Sequence, residues 1–267
     1  MPRTSYVNGC YVEHLKAAVH IEDRGYQFAD GVYEVIGIFE NYLIDGKQHI
    51  DRLERSLYEL QIDHPVGRAS LHFIIQETIR RNYVRNGNIY VQISRGVAER
   101  DHLFPEFSTS SLIVTASSKP WPTLSEAKTG HSIITGPDIR WQRCDIKSVS
   151  LLPNVLAKQN AKTADSSEVW MTDDHGFVTE GTASNAWIVT SNEKIVNRPT
   201  DGAILGGITR NRIIKLVENE GYEICLRSFS VEEAKSAKEA FFTSSTATVK
   251  PVTKIDGQII GNGQPGE

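Results

Sequence analysis

An amine can attack a carbonyl or carry a proton only while part of it is neutral, and desolvation or neighbouring cations bring that about. Lys147 lies in DIRWQRCDIKS (138–148), close in sequence to Arg140 and Arg143, so it is a candidate amine nucleophile and acid–base; the ordinary alternative is a solvated surface lysine. In RGVAERDHLFPE (95–106), Arg100 and His102 are separated by one residue. An arginine grips a carboxylate through two parallel hydrogen bonds and a protonated histidine adds a third donor, although a plain polar loop would read the same way. Gly206-Gly207 in LGGITR (205–210) opens a predicted helix at Ile208 and Thr209. Such an N-terminus offers unsatisfied N–H groups and a favourable dipole to an anion.

These side chains need elements to hold them. Asn8-Gly9 between two β-favouring stretches predicts an opening hairpin. Ile50, Leu53, Leu57 and Leu60 fall at helical spacing from about His49 to Leu60, with Arg52, Glu54, Arg55 and Glu59 on other faces. Leu71, Ile74, Ile75 and Ile79 predict a second helix from about Ala69 to Val84. NIYVQISRG alternates Ile89, Val91 and Ile93 inward, and SLIVTAS at 111–117 is a short apolar strand. SSKPWPTLSEAKTG (117–130), with two prolines and no sustained period, marks a domain boundary. This predicts a first α/β domain over 1–120 and a strand-rich second domain over 121–267, the latter holding HSIITG, EVWMT, FVTEG, NAWIVT, KIVN, YEICLRS and EAFFTSS as strands. VEEAKSA separates the last two, and a helix from about Thr209 to Asn219 ends at Gly221.

Seven polar segments sit at element ends: DRGYQFADGVYEV (23–35), HIDRL (49–53), RGVAERDHLFPE (95–106), DIRWQRCDIKS (138–148), VTEGTASNAW (178–187), LGGITR (205–210) and FFTSSTATVKPV (241–252). Together, in this order and across essentially the whole chain, they resemble the fold-type IV pyridoxal-phosphate enzymes, the family of D-amino acid and branched-chain aminotransferases, and within it the D-amino acid transaminases. The resemblance implies a two-domain α/β enzyme with a smaller N-terminal α/β domain and a larger strand-rich C-terminal domain.

By that resemblance Lys147 is the lysine that forms the family's Schiff base with pyridoxal 5'-phosphate, and Glu180 is the acid facing the pyridine nitrogen, where it keeps the ring an electron sink. Arg52, Ile208, Thr209, Ser245 and Thr246 match the phosphate site, and Leu205 matches a leucine packed on the cofactor ring. Tyr33, Arg100 and His102 match the trap for the substrate carboxylate, the last two reaching in from the neighbouring subunit of a homodimer with a shared active site. Read without the family, Arg52 is a solvated helix charge, Leu205 ordinary core and Glu180 a strand-end acid. Ala183 stands where members often carry another serine, and members commonly continue past Glu267 into a final helix. The implied reaction moves an amino group between a D-amino acid such as D-alanine and a 2-oxo acid such as 2-oxoglutarate. A branched-chain or (R)-amine transaminase, or an aminodeoxychorismate lyase, is the alternative within the family, and a catalytically silent cofactor-binding protein the alternative outside it.

Composition agrees with a small-molecule ligand. Among 267 residues, 29 basic against 33 acidic side chains leave a net charge of -4 without a basic block, which disfavours nucleic acid. No apolar run is long enough for a membrane helix, and MPRTSYVNGCYVEHLK lacks the apolar stretch of a signal peptide. Cys10, Cys144 and Cys225 have no zinc-ligand spacing, so no metal is expected and a reduced, cytoplasmic protein is. No GxGxxG opens a strand–helix unit, and GxxxxGK[ST], HExxH and GxSxG are absent. His14, His20, His49, His64, His72, His131 and His175 are scattered and read as structural.

Overall fold

Asn8 and Gly9 both take positive φ, 44° and 96°, and fold β1 (Thr4–Val7) back onto β2 (Cys10–Glu13). The computed structural model describes residues 3–266; Met1, Pro2 and Glu267 of the predicted domains lie outside them. The chain divides into two units, Met1–Trp121 with Ile146–Ser150 and Pro122–Asp145 with Leu151–Glu267. The predicted boundary ran once through the chain after residue 120, whereas here five residues that include Lys147 cluster with the first unit. Backbone pairing is the cause: Tyr33 N donates to Lys147 O at 3.0 Å, Val149 N donates to Gly31 O at 3.0 Å, and Val32 bridges Ser148.

The first unit continues through α1 (Arg24–Phe28), β3 (Gly31–Phe39), β4 (Tyr42–Leu43), α2 (Gly46–Glu59), α3 (Arg68–Arg81), β5 (Gly87–Ser94) and β6 (Ser111–Ser118). Its six strands form an antiparallel sheet in the order β2-β1-β6-β5-β3-β4. Ile50, Leu53 and Leu57 from α2 and Leu71, Ile74, Ile75 and Ile79 from α3 join Ile89, Val91 and Ile93 in one core. Helix α2 starts a turn before the predicted His49, because Gly46-Lys47-Gln48 carries no apolar residue to signal it. Helix α3 stops at Arg81, after which Tyr83 turns to φ 52°.

The second unit holds α4 (Leu124–Ala127), β7 (His131–Pro137), α5 (Leu152–Thr163), β8 (Glu168–Thr172), β9 (Val178–Gly181), β10 (Asn185–Val189), β11 (Ile195–Asn197), α6 (Ile208–Asn219), β12 (Ile224–Leu226), α7 (Val231–Lys235), β13 (Glu239–Ser244), β14 (Thr248–Ile255) and β15 (Gln258–Ile259). The main strands follow the order β12-β11-β10-β13-β14-β7-β8-β9, with β15 against β14. Strand β9, at the end of that order, turns through Gly181–Ser184 directly into β10, closed by Gly181 N donating to Ser184 O at 2.7 Å, so the sheet curls back on itself. Trp170, Ile188, Phe229 and Ile255 fill its interior. Among the described residues no helix is long and apolar enough to cross a membrane, and no group of three or more His, Cys, Asp or Glu is placed to hold a metal.

Candidate active site

Strand β3 positions the first set of candidates. Val32, Glu34 and Ile36 are buried, whereas Tyr33 and Val35 are half-buried on the alternate face. Glu34 is an acid in an apolar position with 0% exposure, so its charge must be matched. Arg52, from α2, donates Nε to Oε1 at 2.7 Å and Nη2 to Oε2 at 2.8 Å, and His49 Nδ1 lies 2.7 Å from Oε2. Burial pushes the Glu34 carboxyl up, but the Arg52 bonds and charge, with His49 and Lys147 behind them, outweigh it and hold the group at about 2. Arg52 is therefore not the solvated helix charge that its spacing alone suggests. His49, scattered in sequence, is buried here as a partner of Glu34.

This pair makes a pH prediction. A carboxyl held below its ordinary 4.5 adds stability in full above that pH and loses it as pH falls towards about 2. The contribution is about 3 kcal/mol at neutral pH. In urea unfolding series from pH 6 to 2.5, Glu34→Gln should be less stable than the parent at pH 6 and approach it at the acid end; parallel curves would refute the pairing.

Lys147 follows Ile146, which is buried in the first unit's core. Its N–H lies 3.4 Å from Ser56 Oγ, its carbonyl accepts from Tyr33, and its Nζ sits 4.3 Å from the centroid of the Tyr33 ring. The chain thus brings Lys147, Tyr33 and, through Glu34, Arg52 into one part of this unit. Tyr33 also stacks at 5.7 Å on Tyr90, whose phenol donates to Gln92 Oε1 and is pushed up to about 12 by burial and then by Tyr33. The cations expected to tune Lys147 are engaged with acids instead: Arg143 faces Asp145 at 2.9 Å, and Arg140 is bonded to Asp138 and Glu180. Arg100 and His102 lie on the exposed loop after β5, both against the ring of Phe28.

In the second unit Glu180, at the end of β9 and 5% exposed, is ringed by donors. Arg140 Nη1 bonds to Oε1, Asn185 Nδ2 donates to Oε2 at 3.1 Å, and Leu205 N reaches both oxygens at 3.2 Å. Arg140 also grips Asp138 through Nε at 2.9 Å and Nη2 at 2.6 Å, and Thr179 Oγ1 donates to Asp138 at 2.7 Å. Burial alone would pull Arg140 down, but Asp138 and Glu180 more than offset it and keep the guanidinium charged. The turn between β9 and β10 hangs from buried Glu168, which accepts from Thr182 N and Oγ1 and from Ser184 Oγ, leaving Ala183 exposed at its tip.

Asn185 links this carboxylate to the helix start. Its Nδ2 also donates to Leu205 O at 3.0 Å, and its Oδ1 stands where a Cβ on Gly207 would come within 2.1 Å. Only glycine permits that approach. Gly207 is the N-cap of α6, and no side chain caps the first turn with Ile208 and Thr209. Ser245 and Thr246 lie in the β13–β14 turn, just beyond the Asn185–Thr243 pair of the β10–β13 ladder. Glu180, Leu205 and the Gly207 N-cap thus meet at Asn185, Ile208 and Thr209 follow Gly207 in the first turn of α6, and Ser245 and Thr246 lie at the same end of the β10–β13 pair.

The sequence reading missed Glu34, Asp138, Glu168 and Asn185, and gave Arg140 another role. Glu34 carried a signal, an acid inside the apolar run GVYEVIGIF; the others find their partners far away in sequence, beyond the reach of local pattern.

A curled mixed sheet in the second unit that presents a donor-ringed carboxylate next to a glycine-led helix start, and a first α/β unit to which the chain returns a lysine, define an architecture shared with known enzymes. The family model for amino-transferase class IV matches residues 31–255, and the chain belongs to that family. The D-alanine aminotransferase of Bacillus licheniformis is 44% identical over 260 residues, 97% of this chain and 90% of the relative. In structure, the branched-chain amino acid aminotransferase of Escherichia coli superposes with a TM-score of 0.91 at 22% identity, covering 100% of this chain and 91% of the other. The T.th. branched-chain enzyme complexed with N-(5'-phosphopyridoxyl)-L-glutamate gives 0.89 at 24% identity over 100% and 90% of the two chains. These two likenesses establish the shared fold.

Proposed function

We infer that this chain is a pyridoxal-phosphate-dependent D-amino acid aminotransferase, which moves an amino group between a D-amino acid such as D-alanine and a 2-oxo acid such as 2-oxoglutarate. The observation that carries the reading is the 44% identity to a D-alanine aminotransferase across 97% of the chain. The residues present suit the cofactor. Glu180 is a buried carboxylate held as an acceptor, and Gly207 opens an uncapped helix start on which no Cβ could be placed without meeting Asn185. Such a start suits a phosphate, together with the Arg52 guanidinium and the hydroxyls of Thr209, Ser245 and Thr246. Leu205 would lie against the ring.

Pyridoxal 5'-phosphate, when bound, supplies a carbon that takes the amino group and a ring that accepts the electrons released as the substrate Cα loses its proton. The protein does the rest. Lys147 Nζ moves the proton to and from Cα, with the backbone pairing to β3 and the Tyr33 ring fixing where that amine stands. Glu180 would accept the hydrogen of the ring nitrogen and so keep that nitrogen protonated. Tyr33, Arg100 and His102 orient the substrate carboxylate, with Arg100 and His102 supplied by the second subunit of a homodimer. The free thiols of Cys10, Cys144 and Cys225 suit a cytoplasmic enzyme, and burial pushes Cys144 up to about 11, so it stays an unreactive thiol.

Purified protein supplied with cofactor, D-alanine and 2-oxoglutarate should release pyruvate, and the active species should sediment as a dimer. Pyruvate from L-alanine alone, or turnover confined to branched-chain L-amino acids or to amines without a carboxylate, would overturn the substrate assignment. An active monomer would overturn the shared site.

A further inference from the structure

The DRGYQF half of the first polar segment has no part in that chemistry, yet it forms the seat of the loop that carries Arg100 and His102. Asp23 bridges Val97, Arg24 N donates to Gly96 O at 2.9 Å, and Ala98 N donates to Glu22 O at 3.4 Å, so the loop leaves β5 paired to the start of α1. Asp23 caps Gly25 N at 2.8 Å, and Ala29 closes the helix at φ 56°. Arg24, 3% exposed, donates Nε to Asp30 at 2.8 Å and Nη1 to the carbonyl of Asp101 at 2.6 Å, the residue between the two candidates. Asp30 in turn accepts from buried Arg95 at 2.7 and 3.0 Å.

One aromatic ring meets all three side chains. The guanidinium carbon of Arg24 lies 4.8 Å from the centroid of Phe28, that of Arg100 lies 4.7 Å from it, and the His102 ring centroid lies at 5.5 Å. Among the described residues Arg100 has no hydrogen bond or ion pair, so its flat donor edge is available to an anion while its position is set by the ring. A long arginine on an exposed loop otherwise loses considerable rotamer freedom when it binds. Stacking on an aromatic removes part of that loss beforehand.

We propose that Phe28, with Arg24 fixing the backbone at Asp101, is the positioning residue of the Arg100–His102 pair, holding both donors against one ring so that they meet a substrate carboxylate as a unit. The proposal rests on the reading that Arg100 and His102 bind that carboxylate. It predicts a defect in carboxylate recognition and none in the proton transfer that Lys147 performs.

The test compares Phe28→Leu, Phe28→Tyr and Arg100→Leu as holoenzymes. Leucine keeps an apolar side chain and lacks the π face. Phe28→Leu should raise KM for D-alanine roughly three- to tenfold with kcat held within about twofold, and Phe28→Tyr should return KM to within about twofold of the parent. The preference for D-alanine over an amine without a carboxylate should fall by the same factor. If Arg100→Leu raises KM for D-alanine and Phe28→Leu does not, the positioning role is wrong and the carboxylate reading survives. A fall in kcat alike for both substrates, or no rescue by tyrosine, also overturns the role. An unchanged KM in Arg100→Leu removes the reading beneath it, and the proposal falls with it.

Discussion

Lys147→Ala should abolish transamination, lowering turnover of D-alanine by at least about 10⁴-fold, since both a covalent amine and the acid–base group are lost together. The geometry leaves no substitute. Lys147 is fixed by the pairing of residues 147–149 to Gly31 and Tyr33, and its amine stands over an aromatic ring at 4.3 Å. Lys158 and Lys162 lie on α5 with Lys158 Nζ donating to Ser167 O, so neither belongs to the backbone pairing that holds Lys147. The check is covalent as well as kinetic. Borohydride reduction of the parent holoenzyme should fix the cofactor to the peptide that contains Lys147, and in the variant to no peptide at all. Label recovered on Lys158 or Lys162, or turnover within tenfold of the parent, would show that the amine has been misassigned.

The two units differ in how far they could be read from sequence, and Lys147 shows why. Helical spacing placed α2 and α3 to within a turn because their buried faces repeat every three or four residues, and Ile89, Val91 and Ile93 gave β5 through alternation. The central strand β3 escaped the same reading, since Glu34 interrupts its apolar run and its partners on α2 lie 15 and 18 residues away. Residues 146–150 join β3 across more than a hundred residues, a pairing no local pattern encodes. The candidate residues were found instead through segments in a characteristic order. What that order did not contain was the support beneath them: Asn185 between Glu180 and Leu205, Arg140 shared by two acids, and Phe28 under Arg100 and His102. These are side chains whose types are ordinary and whose roles arise only from contact.

Glu180→Gln should leave the cofactor bound and slow removal of the Cα proton by about 3 kcal/mol, roughly a hundredfold in rate. The isosteric amide keeps the volume of a nearly closed site, so the change is electrostatic. At present Arg140, Asn185 and the N–H of Leu205 all donate to the carboxylate, which fixes it as an acceptor with no freedom to rotate away. An amide cannot accept on both sides: its NH₂ must point at one of these donors or at the ring nitrogen. Either arrangement withdraws the negative charge that holds a proton on that nitrogen, and the ring becomes a weaker electron sink. Arg140 would keep Asp138 and lose its second acid, so a modest loss of stability should accompany the kinetic one. Single-turnover mixing with D-alanine separates the two effects, because it reads proton removal in protein that is already folded and loaded. With the Cα-deuterated substrate the variant should show an isotope effect at least as large as the parent's. A single-turnover rate equal to the parent's would remove Glu180 from the electronic role and leave it as a structural partner of Arg140.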